Sequence, residues 1–483
     1  MRRKEPFPIV FLIFLPFVAA LAMNLAPRQR AEQIMLQDGW QRQAAVTSGK
    51  AVASEKTDQS FEQLVVFEPW RGDMLELLGD NKLAEGQVDK AILAYQQALN
   101  LKTLSMKGMT ALGDSYQQKG QAAQAIQLWQ KALTAGGDPD VLAMRIANEE
   151  RRMQDYAGEM QTLHAWQTAR PKNAWVPYEM GLLQAASQPQ MALAMLKQSG
   201  EIDYVYAIKS ETLQNAIQQA LQHTDLGYQQ VSIGRALSGL GEWDLAEQAF
   251  QQATLSDPDY AEAWAFLGEA LQQTGQDGSA DLQKALQLNP ASVVAQTLWA
   301  VQMRQQGRDD VALVYLHEAA EEEPGQGIWQ VEMGNILAEM GDTASALDHF
   351  NLAVQIEPNN AVFWQDLALF CASNQVELRE TGLPAARQAL LLDENSATGL
   401  DTMGVVLHTL GDLTNAEKFL QRSLQADRSY APGYLHLGQV YLDEGRPDLA
   451  YAPLIQAARL SGKNDLVGVF AKRLLDQNYN TGG

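Results

Sequence analysis

Cysteine is almost missing from this chain: 483 residues contain one, Cys371. A single thiol excludes any disulfide within the chain, and it excludes CxxC metal and redox motifs as well. Basic residues are scarce too, 36 Lys and Arg against 58 Asp and Glu, for a formal net charge of -22. Nucleic acid and other anionic polymers are poor partners for such a chain, because phosphate binding needs a basic field. Catalytic signatures are lacking: no HExxH, GxxxxGK, GxSxG or GxGxxG occurs. The six histidines, His164, His223, His317, His349, His408 and His436, are scattered without metal-ligand spacing and read as solvent-facing or incidentally packed. No enzyme chemistry, cofactor or metal is assigned on these grounds. What remains is binding.

What is present is a period. Small residues recur as Ala45, Gly79, Gly113, Ala147, Gly181, Gly234, Gly268, Ala300, Gly334, Ala368, Gly404 and Gly438, at steps of 34, 34, 34, 34, 53, 34, 32, 34, 34, 36 and 34. A spacing held over so many copies marks a repeat architecture. Gly327 to Asn360 shows the unit. Trp329, Met333, Ile336, Leu337 and Met340 mark one amphipathic helix, and Ala346, Leu347, Phe350 and Val354 mark a second. Gly341-Asp342 separates them, with Gly ending one helix and Asp placed to cap the next, and Pro358 stops the second. A pair this short cannot bury its own apolar stripe, so each pair needs neighbours. Cys371 falls in the column of Leu337, as a buried small hydrophobe.

Trp264, Leu267 and Gly268 open one unit; Ala246, Phe250, Ala253 and Pro258 close another, as do Ala346, Phe350, Ala353 and Pro358. On these residues the chain resembles the tetratricopeptide repeat family. The resemblance runs from about Asp38 to Gly462 and implies an all-α fold, a tetratricopeptide-like α-α superhelical solenoid of about twelve helix pairs.

The N-terminus carries an address. Arg2, Arg3 and Lys4 precede an apolar run from Phe7 to Met23, broken by Pro8 and Pro16. Two readings stand. The run is a membrane anchor with Arg28 and Arg30 at the far interface, or a secretory signal cleaved near Ala22, after the small residues of Ala20-Leu21-Ala22. Both put the N-terminus in the cytoplasm and the repeats outside it. The expected organisation is therefore a signal-anchor or transmembrane segment (1–26), a degenerate first repeat or stalk (27–70) and a first repeat block (71–200). An extra amphipathic helix (201–226), a second block (227–462) and a C-terminal cap helix with its tail (463–483) follow. In that cap, Leu466, Phe470 and Leu474 are expected to face inward. The two-residue excess in Gln375 to Pro384 is expected to lengthen a loop, and the deficit in Asp277 to Leu282 to shorten a second helix.

The resemblance also implies that first helices line a concave groove for a protein segment, an extended peptide or a helix. Carried over by column, that stripe holds Asp80, Asp114, Arg151, Arg304, Asp401 and His408 among its charged members. The Lys, Asn and Arg set that clamps acidic chaperone tails is absent: Thr110, Met144, Val231 and Val331 stand where lysine would. The candidate partner-binding cluster is Trp175, Tyr178, Leu182, Tyr228, Val231 and Arg235, because aromatics on a polar groove mark anchor pockets. The competing reading is that the helix at Tyr204 to Leu221 folds over these residues and makes them core. The expected function is a membrane-tethered, extracytoplasmic scaffold for protein partners. The alternative is a carbohydrate-binding or polysaccharide-export accessory module of the cell envelope, stacking sugars on the same aromatics.

Overall fold

The computed structural model describes residues 70–462 and 465–479, and among these all regular structure is helical. Contacts divide the chain into two compact units, one ending at Leu221 and one beginning at Gln222. In the first, α1 (Gly72–Ala84) pairs with α2 (Val88–Asn100), and α3 (Met106–Gln118) with α4 (Ala122–Thr134). Next come α5 (Pro139–Arg152) with α6 (Tyr156–Ala169), then α7 (Trp175–Gln184) with α8 (Pro189–Ile202). A single helix, α9 (Tyr204–Ala220), ends this unit.

The second unit begins with α10 (Leu226–Gly239) and α11 (Trp243–Ser256), α12 (Ala261–Gln273) and α13 (Ser279–Leu288), α14 (Val293–Gln305) and α15 (Asp309–Glu322). It continues with α16 (Ile328–Glu339) and α17 (Thr343–Ile356), then α18 (Ala361–Asn374) and α19 (Leu383–Leu392). The last pairs are α20 (Ala397–Thr409) with α21 (Leu413–Ala426) and α22 (Ala431–Asp443) with α23 (Pro447–Leu460), before a terminal α24 (Leu466–Tyr479). The fold class is the expected one, an α-α solenoid of repeated helix pairs. The pair expected around Ala45 and the segment 1–26 lie outside the described residues, and among the described residues no helix is long and apolar enough to cross a membrane.

Close approach explains the period. A Cβ added to Gly79 would lie 2.5 Å from the Tyr95 ring, and one on Gly234 would lie 2.5 Å from the Phe250 ring. At these positions the first helix offers a gap that a large side chain of its own second helix fills. Tyr95, Trp129, Phe250 and Phe350 are among the largest fully buried side chains. Burying each contributes about 1.5–3 kcal/mol, which a hydrogen atom in place of a methyl group makes possible.

Local signals agree with the pairing. Asp342 caps α17 by accepting from the Ser345 N–H, and Gly341 takes a left-handed φ of +83° that a side chain would strain. Met333, Ile336, Ala346, Leu347, Phe350 and Val354 are buried as the pattern requires, whereas Met340 points to solvent. Cys371 is fully buried, and burial together with the nearby Glu377 charge pushes its thiol up to about 11. The deficit at Asp277 to Leu282 leaves α13 with 10 residues.

Two expectations are corrected. The excess at Gln375 to Pro384 does not lengthen a loop: Gln375 and Glu377 adopt left-handed backbone, and Leu378–Gly382 forms a π-helical turn running into α19. In α24 the inward residues are Gly468 and Ala471, flanked by Val467, Leu474 and Leu475. Leu466 (70% exposed), Val469 and Phe470 face outward. A Cβ on Gly468 would lie 2.9 Å from the Ser461 Cβ, so the helix docks on its small-residue stripe.

Ala346, fully buried on α17, has no room for a larger side chain. Ala346→Leu should cost about 1–3 kcal/mol. Hydrogen exchange should show the loss concentrated in α16, α17 and their neighbours, because a solenoid sums local terms. Equal loss of protection throughout the second unit would contradict that picture.

Candidate functional site

The inner stripe of first helices is more occupied than its sequence suggests. In the first unit Lys107 Nζ lies 2.9 Å from Asp80, which also accepts from the Tyr95 hydroxyl at 2.6 Å. Arg145 pairs with Asp114, which also accepts from the Trp129 Nε1–H at 3.0 Å. Arg151 reaches Glu179 at 2.8 Å. In the second unit Arg304 meets Glu332 at 3.3 Å and Glu339 at 3.0 Å. His436 meets Asp401 at 2.8 Å and His408 meets Asp443 at 2.6 Å. Burial would lower the His436 pKa, but Asp401 more than offsets this and leaves it raised.

Each pair joins successive first helices, at separations of 27 to 35 residues. Partly exposed pairs of this kind are worth about 0–1 kcal/mol each. Their larger effect is on register, since they tie one repeat to the next and engage the charges that would otherwise face a ligand. Sequence reading placed Asp80, Asp114, Arg151, Arg304, Asp401 and His408 on this face but missed their partners Arg145, Glu179, Glu332, Glu339, His436 and Asp443.

The six candidate residues fall in two units. In the first, Trp175 is half-buried with its ring 5.1 Å from that of Trp166, and Leu182 is fully in the core. Tyr178 is half-buried, and Tyr206 from α9 lies over it at 5.3 Å between ring centroids. The extra helix therefore covers part of this set, and Tyr178 is not an open platform for stacking a sugar. Val141 and Met144, on the stripe of α5, are exposed. In the second unit Val231 is buried, while Tyr228 is 41% exposed and packs on the His223 ring at 4.3 Å. Arg235 is exposed, with its guanidinium 5.3 Å from the Phe266 ring centroid. That placement holds the long side chain on the surface by a cation–π contact.

The pair around Ala147 departs from the repeat pattern and contains a buried carboxyl. Glu159 stands where the pattern expects alanine and is 2% exposed. Arg151 Nε donates to both its oxygens at 3.0 Å. Burial pushes the Glu159 carboxyl up to about 7, against the pull of Arg151 and with the charges of Glu179 and Glu150 adding to the rise. In the second unit burial, aided by Glu332, pushes Asp366 up to about 6. Among the described residues no group of His, Cys, Asp and Glu is arranged to hold a metal ion.

A raised carboxyl keeps its proton in the folded state after the unfolded chain has lost it. Stability from Glu159 is thus fully present below its ordinary value of 4.5 and lost as pH rises through about 7. Between those values the parent should lose stability relative to Glu159→Gln, on the order of 3 kcal/mol at about 1.4 kcal/mol per pKa unit. Denaturant unfolding followed by exchange in α5 and α6 measures the difference, and a difference independent of pH would refute the assignment.

The family profile described as tetratricopeptide repeat matches residues 231–292, and a second of the same description matches 330–360 and 398–430. No curated protein matches. Among solved structures, the APC/C hetero-tetramer Cut9-Hcn1 is similar at 16% identity over 86% of this chain and 99% of that one, with a TM-score of 0.38. PilF of Pseudomonas aeruginosa shows 18% identity over 45% and 98%, with a TM-score of 0.35. MamA from Desulfovibrio magneticus RS-1 shows 18% over 36% and 97%, with a TM-score of 0.30. The chain carries tetratricopeptide repeats in three matched stretches of its second unit.

Proposed function

We propose that this protein is a non-enzymatic scaffold for protein–protein interaction, holding an extended segment or helix of a partner on the inner faces of its first helices. The observation that supports it most is the contrast along those faces. Most charges are engaged between repeats, yet Tyr228 and Arg235 on α10, and Val141 and Met144 on α5, remain exposed. Aromatic and Arg residues on such a background are the usual anchors of an interface. Trp175 and Tyr178 border the corresponding face of the first unit, partly covered by α9.

The address is part of the proposal. The apolar run Phe7 to Met23, with Arg2, Arg3 and Lys4 before it, supports a single-pass anchor with the repeats outside the cytoplasm. A cleaved signal is the other outcome of the same run.

Two experiments test these points. A photo-crosslinking residue at Tyr228 in intact cells should give a discrete adduct, and one at Leu255, exposed on α11, should not. Tyr228→Ala with Arg235→Ala should remove at least about 2 kcal/mol of binding to the captured partner while leaving helicity intact. Adducts of equal yield from both positions would end the inner-face proposal. For the address, carbonate-washed membranes should retain the full-length chain, and a soluble species beginning at Met23 would decide for cleavage.

A further inference from the structure

Away from the stripe, α4, α5 and α6 enclose a cleft of about 310 Å³. Leu133 of α4, Ala143 and Ile146 of α5, and Trp166 of α6 give it apolar walls. The cleft exists because α6 turns small residues toward it, Gly158, Thr162, Ala165 and Ala169, which recur along one helical stripe. Small residues alone leave a gap, not a site.

The second observation is a carboxyl. Glu150 lines the same cleft, is 5% exposed, and has an Oε2 that is buried and makes no hydrogen bond. Neighbouring cations are engaged elsewhere: Arg151 with Glu159 and Glu179, Arg152 with Glu149. Burial, reinforced by the Asp155 charge, holds the Glu150 pKa above the usual carboxylate range, against the pull of the Thr162 hydroxyl. A buried acceptor without a donor is costly, and one that lines a cleft is a place where a ligand's donor would be favoured.

We propose that this cleft receives a lysine side chain from a partner protein, its aliphatic stem against Ala143, Ile146 and Trp166 and its ammonium on Glu150. The stem suits apolar walls and the charged end suits the single carboxyl, which is how long basic side chains bury. One acceptor oxygen is free while Thr162 engages the group. That favours a compact ammonium over the two-pronged guanidinium, which needs both oxygens. The net charge of -22 draws basic partners to the surface generally, and the cleft adds a place where one fits. The inference does not depend on what the inner faces bind.

The probe is n-pentylammonium, with neutral pentanol as its control, titrated into the full-length chain and followed by NMR. Pentylammonium should bind at least about tenfold more tightly than pentanol, a preference of about 1.4 kcal/mol. Glu150→Gln should abolish that preference. Ala165→Leu keeps every charge but fills the cleft from an exposed position, so it should remove pentylammonium binding with the fold intact by circular dichroism. Equal binding of the two probes to the parent, or pentylammonium binding that survives Ala165→Leu, would overturn the proposal. Guanidinium analogues binding more tightly than pentylammonium would overturn the choice of lysine.

Discussion

The structure depends on a distance. Two helices of a pair can share a core only where the first gives up a side chain, and at Gly79, Gly113, Gly234, Gly404 and Gly438 a single added carbon would collide with the large residue opposite. That residue is an aromatic at Tyr95, Trp129 and Phe250 and a leucine at Leu420 and Leu454. The chemistry of the filler varies while the gap does not. Packing density, not a particular side chain, is what the repeats hold in common. Once the pair is fixed, the exposed face of its first helix is fixed as well.

This constraint explains why so much of the fold was legible. A column of Gly and Ala is visible without coordinates, and so are the turns at Gly341-Asp342 and the break at Pro358. In the terminal helix Leu474 packs inward as expected, but Leu466 and Phe470 do not, for an equally physical reason. Leu466, Phe470 and Leu474 form one apolar stripe, but Val467, Ala471 and Leu475 form another a step away. Hydrophobicity does not choose between them. Gly468 and Ala471 do, because only that side lets α24 lie close against the turn at Ser461.

The binding face was less legible because its outcome depends on neighbours in space. Asp80, Asp114 and Asp401 occupy the right column, but long side chains find partners at separations of 27, 31 and 35 residues, so no fixed spacing announces the pairing. Glu159 is the sharpest example. Read along the chain it is a failed alanine; in space it is a buried carboxyl held by Arg151, whose other partner is Glu179. Glu150, beside the stripe residue Arg151, carried no signal of its own. Its unmatched oxygen emerges only when the cations around it are found to be engaged.

The irregularities of the second unit fall unevenly. Its first helices from α12 to α22 keep 12 to 14 residues. The two-residue deficit shortens α13 to 10 residues, and the two-residue excess is absorbed by the π-helical turn ahead of α19. Gains and losses of sequence are thus drained into the second helices. The first helices are left nearly uniform in length, like the marks on a ruler. A partner segment laid along them would meet each mark at its own interval, indifferent to insertions accumulated on the other side.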